Sequence, residues 1–147
     1  MTATSFTTTI LVDKNPAEVF DAINKVKDWW QGSVTGNTSH VGDEFEYRMK
    51  TFHLSRQKII EMQPNKKIVW LVTDSNLDSF EDKTEWTGTK IIFEITGAGN
   101  KTELRFTHEG LVPDFQCYGS CSGAWGRLVQ ESLFSLITTG KGKNVFG

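Results

Sequence analysis

The stretch from Pro113 to Gly140, PDFQCYGSCSGAWGRLVQESLFSLITTG, constrains this chain more than any other. Phe115, Tyr118, Ser122, Trp125, Leu128, Val129, Ser132, Leu133, Leu136 and Ile137 recur at three- and four-residue intervals, which places them along one side of a long helix. Arg127, Gln130 and Glu131 fall on the other side. An apolar stripe of that length must be covered, and the residues upstream read as its cover. Gly119, Gly123 and Gly126 interrupt the pattern, and each costs roughly 1 kcal/mol relative to Ala inside a helix. Their spacing predicts that another backbone, or a ligand, comes close there, most of all at Gly126. Gly140 supplies the helix stop, and KGKNVFG after it reads as a short tail.

Ser5 to Asp13 alternates Phe6, Thr8, Ile10 and Val12 against Thr7, Thr9 and Leu11, and its β-branched content favours a strand. Asn15-Pro16 then starts a helix, with Asn as N-cap, Pro at the first helical position and Glu18 in the first turn. Val19, Phe20, Ile23 and Val26 form its buried stripe. Residues 28–32 (DWWQG) predict a further helical turn ended by Gly32, with one Trp in the core and the other at a lip. Gly36-Asn37 and Gly42-Asp43 mark turns. Strands follow over Phe45–Met49, Phe52–Met62 and Ile68–Val72, with a turn at Gln63–Lys67. Thr73 to Glu81 is polar with few periodic positions and predicts a loop. Thr89–Thr96 and Thr102–His108 flank Gly97-Ala98-Gly99-Asn100-Lys101 as a hairpin. One strand, one or two short helices, a meander of antiparallel strands and one long helix define an α+β chain.

With 147 residues, 37% hydrophobic content and 23% charged residues, the chain predicts one soluble globular domain spanning 1–147. A net charge of -2 gives no basic field for nucleic acid or anionic lipid. The N-terminus has neither a positive flank nor a long apolar run, so no signal peptide or membrane span is read there and the expected compartment is the cytoplasm. Five Trp and ten Phe exceed what an ordinary core of this size requires. Either the core is rich in aromatics or a cavity is.

The segments ILVDKNPAEVFDAI, DWW, GDEFEY, EWTGTKIIFEI, TELRFTHEGL, CYGSCSGAWGRLVQESL and TGKG, in that order from about Phe6 to Gly142, resemble the SRPBCC (START-like) superfamily. The similarity is to the branch of activator of heat shock protein 90 ATPase homologues. The resemblance implies the helix-grip fold: a curved, seven-stranded antiparallel sheet wrapped around the C-terminal helix, with two short helices after strand one. It also implies a hydrophobic pocket between sheet and helix for lipid-like or polycyclic small molecules. The co-chaperone that names the branch carries an additional N-terminal domain that contacts its chaperone. This chain is too short to hold it, which argues against chaperone activation.

Cys117 and Cys121 form C-x-x-x-C. At i and i+4 on a helix their Cβ atoms would be about 5–6 Å apart, beyond the roughly 3.5–4.5 Å of a disulfide, so free thiols are expected. His40, His53 and His108 show no ligand spacing, and no metal or cofactor is expected. His108-Glu109 ends a strand and could serve acid–base chemistry, yet no nucleophile with supporting groups accompanies it. No catalytic residue is therefore assigned.

The aromatic set carries the functional expectation. Trp30, Phe45, Tyr47, Trp70, Trp86, Phe93, Phe106, His108, Phe115, Tyr118, Trp125 and Val129 are the candidate ligand contacts, with an ordinary aromatic core as the alternative. The predicted function is binding of a hydrophobic small molecule of lipid, polyketide or flavonoid type between helix and sheet, where Gly and Ser in the helix stripe would leave space. A module that modulates a chaperone or another stress-response partner is the alternative, and a cyclase- or isomerase-type enzyme a weaker one.

Overall fold

The computed structural model describes residues 5–30, 32–49, 53–77, 84–113, 115 and 118–143. Strands β1 (Phe6–Val12), β2 (Ser33–Gly36), β3 (Glu44–Met49), β4 (His53–Gln63), β5 (Lys67–Leu77), β6 (Lys90–Ala98) and β7 (Lys101–Glu109) form one sheet in the order β1-β7-β6-β5-β4-β3-β2. Every neighbouring pair is antiparallel. Two short helices, α1 (Pro16–Asn24) and α2 (Val26–Trp29), follow β1. The long helix runs unbroken through α3 (Tyr118–Arg127), a π-helical segment (Leu128–Leu133) and α4 (Phe134–Thr139). The sheet curves around this helix, as the helix-grip expectation requires.

Local chemistry accounts for most boundaries. The Asn15 side chain accepts the Glu18 N–H at 2.9 Å and caps α1, with Pro16 at a position where a missing N–H costs nothing. Gly99 at φ +66 turns the two-residue hairpin between β6 and β7. Gly140 adopts φ +86 and donates to the Leu136 carbonyl, closing the long helix with a left-handed residue. Strands β6 and β7 alternate strictly, burying Ile91, Phe93 and Ile95 on one and Thr102, Leu104, Phe106 and His108 on the other.

Four sequence expectations need correction. Trp29 and Trp30 are both core, with rings 6.3 Å apart and 14° from parallel. Trp29 closes α2, whereas Trp30 is already in extended backbone, so the change of conformation between them lets two adjacent side chains enter the same interior. The predicted loop after Val72 is strand as far as Leu77, and residues 78–81 of it lie outside the described residues. Ser55↔Ser75 and His53↔Leu77 pair there, and the polar inward residue Ser75 hides the alternation that would have marked a strand.

The third correction concerns the helix glycines. Among the described residues nothing lies within 4 Å of where a Cβ would stand on Gly119, Gly123 or Gly126. No close approach holds them as glycine. Gly123→Ala and Gly126→Ala should each stabilise the protein by about 0.5–1 kcal/mol, seen as a higher midpoint in urea with an unchanged slope. A loss of stability in both would restore the close-approach reading.

The fourth is the tail. A Cβ on Gly142 would stand 2.1 Å from the Asp28 carbonyl oxygen, so the true close approach lies beyond the helix. Ser132 explains it: its hydroxyl donates to the Trp29 carbonyl at 2.7 Å and accepts the Lys143 N–H at 3.2 Å. The serine read as leaving space in the stripe instead ties α2, the π segment and the residues after the helix together. Leu128, Val129, Ser132 and Leu133 of the π-helical segment are all buried, as their i, i+1, i+4, i+5 spacing on one face requires.

Candidate functional site

All five tryptophans are buried. Trp30 stacks on Tyr47 at 3.8 Å between ring centres and meets Trp125 at 4.9 Å. Trp125, on α3, stacks on Trp86 at 5.7 Å and meets Phe106 at 4.7 Å. Trp70 joins Trp29, Trp30, Phe45 and Phe93, and Phe93 meets Phe106 edge-on. Nine of the predicted contacts (Trp30, Phe45, Tyr47, Trp70, Trp86, Phe93, Phe106, His108 and Trp125) therefore form one connected array between the long helix and the sheet. Val129 lies in the same core, and Phe115 and Tyr118 pack on it half-buried. Phe115 precedes the helix instead of starting it. Cys121 is buried, while Cys117 lies outside the described residues.

His108 organises the middle of the array. The Trp125 indole N–H donates to His108 Nδ1 at 3.0 Å, and His108 Nε2 lies 2.8 Å from Thr89 Oγ1. Since Nδ1 accepts, the neutral ring carries its proton on Nε2 and donates to Thr89, whose hydroxyl donates to the Trp86 carbonyl at 2.5 Å. Burial pushes the His108 pKa down to about 3, with His53 nearby adding to the effect. An imidazole so depressed, with its accepting nitrogen already used, is not a general base near neutrality. His108 is instead the polar pin that fixes the orientation of Trp125.

A second polar group lies on the inner side of β4, β5 and the turn before β6. Gln57 donates to Ser55 Oγ at 2.6 Å, which His53 Nε2 also approaches at 3.3 Å. Ser55 is opposite Ser75 across the strands, and Ser75 Oγ bonds Thr87 Oγ1 at 2.9 Å. The turn is fixed to β5 by Gly88 N–H donating to the Val72 carbonyl and Val72 N–H donating to that of Thr89. Val72 is itself the cross-strand partner of Gln57. Burial lowers the His53 pKa to about 4 and raises that of the Tyr47 phenol, against a smaller opposing effect of a hydrogen bond with the Trp30 side chain. Two buried polar atoms have no partner among the described residues: Gln57 Oε1 and Trp86 Nε1.

This polar seam was missed in the sequence, as was Trp29. A period-2 reading of S55-x-Q57-x-I59 could have found part of it, because it puts Ser and Gln on the same side as Ile59. A depression of about 650 Å3 lies at the other end of β6, lined by residues of 15–17, 64–66 and 95–97. It contains none of the predicted contacts. Of the stripe residues expected to leave space, Gly119 and Gly123 are exposed, and Ser132 is engaged by Trp29 and Lys143. Among the described residues no group of three His, Cys, Asp or Glu could hold a metal. None of their helices is long and apolar enough to cross a membrane.

Sheet, gripped helix and aromatic interior together define an SRPBCC-type helix-grip protein. The profile of the activator of Hsp90 ATPase homolog 1-like proteins matches residues 13–137, and the chain belongs to that family. No curated protein matches it in sequence. Among solved structures it is similar to the Aha1 dimer from Colwellia psychrerythraea, with 23% identity and a TM-score of 0.76 over 95% of this chain and 99% of that one. CalU16 from Micromonospora echinospora is similar at 13% identity and a TM-score of 0.61, over 90% and 74%. DynU16, a putative protein of the dynemicin biosynthetic locus, aligns at 14% identity and a TM-score of 0.65 over 92% of this chain. The match spans about half of DynU16, 48% of its length. At these identities the likenesses establish the fold.

Proposed function

We propose that this protein binds an apolar, largely flat small molecule against the aromatic array beneath α3. The observation that carries the reading is the parallel set of ring faces, Tyr47 on Trp30 and Trp125 on Trp86, held between the sheet and a helix half that is rich in glycine. Offset-stacked rings offer the same geometry to a ligand ring that they offer each other. A helix half with three glycines holds its place by tertiary contact more than by its own propensity, so it can move aside for an occupant. The test is titration with flavonoid, anthraquinone and fatty-acid probes, read by indole emission and thermal shift. A ligand of the proposed kind should quench or shift the emission and raise the midpoint by several degrees at saturating concentration. If no probe changes either signal, the reading fails.

A second reading is favoured by one observation. The Colwellia protein that bears the Aha1 name is matched over 99% of its length, so a single domain of this size already carries that name. Chain length is therefore no argument against a co-chaperone role. Acceleration of the ATPase of an Hsp90-class chaperone by this protein, with no response to any probe, would make that the better account.

A further inference from the structure

Six polar side chains are buried among the described residues: Ser55, Gln57, Ser75, Thr102, His108 and Ser132. Thr102 and Ser132 are explained by bonds to the carbonyls of Lys14 and Trp29, and His108 by its two partners. The other three form the seam, which holds Gln57 Oε1; Trp86 adjoins it through His53, whose ring lies 4.7 Å from the indole and whose Nε2 approaches Ser55 Oγ, and through Thr87, which bonds Ser75. A buried acceptor or donor left without a partner costs about 1–3 kcal/mol, so each of the two calls for a partner that the described residues do not supply.

The chemistry of that partner can be read from what surrounds the two atoms. Gln57 Oε1 requires a donor and Trp86 Nε1–H requires an acceptor. If the amide of Gln57 is turned over, its free end becomes a donor, and a hydroxyl still satisfies it because a hydroxyl both donates and accepts. Among the described residues no Asp, Glu, Lys or Arg is buried, and both histidines near the seam are held neutral by burial. An ionised carboxylate placed here would lose its hydration and meet no cation, which is prohibitive in an interior of this kind. The aromatic faces beside the seam suit a ring system that carries the hydroxyl.

We propose, resting on the small-molecule reading above, that the Gln57–Trp86 seam is a polar subsite that selects neutral hydroxylated ring compounds, phenols above all, and rejects ionised fatty acids. The phenolic hydroxyl donates to Gln57 Oε1 while an oxygen of the ligand, the hydroxyl itself or a carbonyl, accepts the Trp86 indole N–H.

The experiment compares three probes on the unmodified protein by indole quenching: a hydroxylated flavone, the same flavone skeleton without hydroxyls, and myristate. The hydroxylated compound should bind roughly 10- to 100-fold more tightly than its bare skeleton, and myristate more weakly than either. Gln57→Leu should abolish most of that preference, and Trp86→Phe should reduce it by the part that the indole N–H supplies. Equal binding of the flavone pair would overturn the subsite and leave an ordered water as the partner of the two atoms. Tight binding of myristate would overturn the exclusion of charge. In both cases small-molecule binding itself stands. Absence of binding by all three overturns the subsite and the reading beneath it together. The probe comparison on the unmodified protein decides the matter even if neither variant folds.

Discussion

Trp125→Ala should lower the unfolding free energy by about 4–8 kcal/mol, near the upper limit for a single substitution. Two losses combine. Removing a fully buried indole costs about 3–5 kcal/mol in packing, here against Trp30, Trp86 and Phe106 at once. The His108 Nδ1 acceptor also loses its donor in a place water does not reach, adding about 1–3 kcal/mol. Trp125→Phe separates the terms, because it keeps most of the ring and removes the N–H; its expected cost is about 2–3 kcal/mol. Trp86→Phe gives the contrast. Its indole N–H has no partner among the described residues, so only ring area is lost and the cost should stay near 1 kcal/mol. Urea midpoints for the three variants provide the check. Equal costs for the two Phe variants would mean that the bond to His108 contributes nothing.

Acid should destabilise the protein through His108. In the unfolded chain its pKa is near 6.5, whereas in the fold burial holds it at about 3. Between those values the unfolded state binds more protons, so stability rises with pH in this window. The contribution is fully present above about pH 6.5 and is lost as pH falls toward 3, at a rate approaching about 1.4 kcal/mol per unit in the middle of the window. His53, lowered to about 4, acts in the same direction over a narrower range. His108→Asn removes the titration while leaving an oxygen that can accept the Trp125 N–H. Its stability should fall less steeply between pH 6 and pH 4 than that of the parent. Parallel pH profiles would assign the acid sensitivity to other groups.

The fold was largely legible in the sequence because most of its elements announce themselves by local chemistry. Asn15-Pro16 marks a helix start whatever surrounds it, and β6 and β7 carry strict alternation. The failures share one physical cause: positions whose role is fixed by distant partners. Ser132 reads as a gap in an apolar stripe until Trp29 is set against it. Ser75 breaks the alternation of β5 because its partners, Ser55 and Thr87, are polar and remote in sequence. Gly126 reads as a close approach by analogy with packed helices, yet that approach is made by Gly142, in what reads as a tail. For the site, composition pointed to aromatic residues that the fold gathers into one array, but not to the seam. Single Ser, Gln and Thr residues on strands carry no local mark of burial.

The position of β1 beside β7 bears on how the protein is made. Thr7 Oγ1 donates to the Phe106 carbonyl at 2.9 Å across 99 residues of chain, and the whole strand registers on β7 from Phe6↔His108 to Val12↔Thr102. During synthesis the first strand therefore emerges long before the strand that receives it, and Ile10 and Val12 wait without a partner. The knot at Ser132 comes later still, joining Trp29 to a residue 103 positions onward. Such a chain has no self-sufficient N-terminal half to fold in advance. A ribosome that stalls before β7 would hold out a sheet with its first strand left over, an open edge to which another nascent copy could attach.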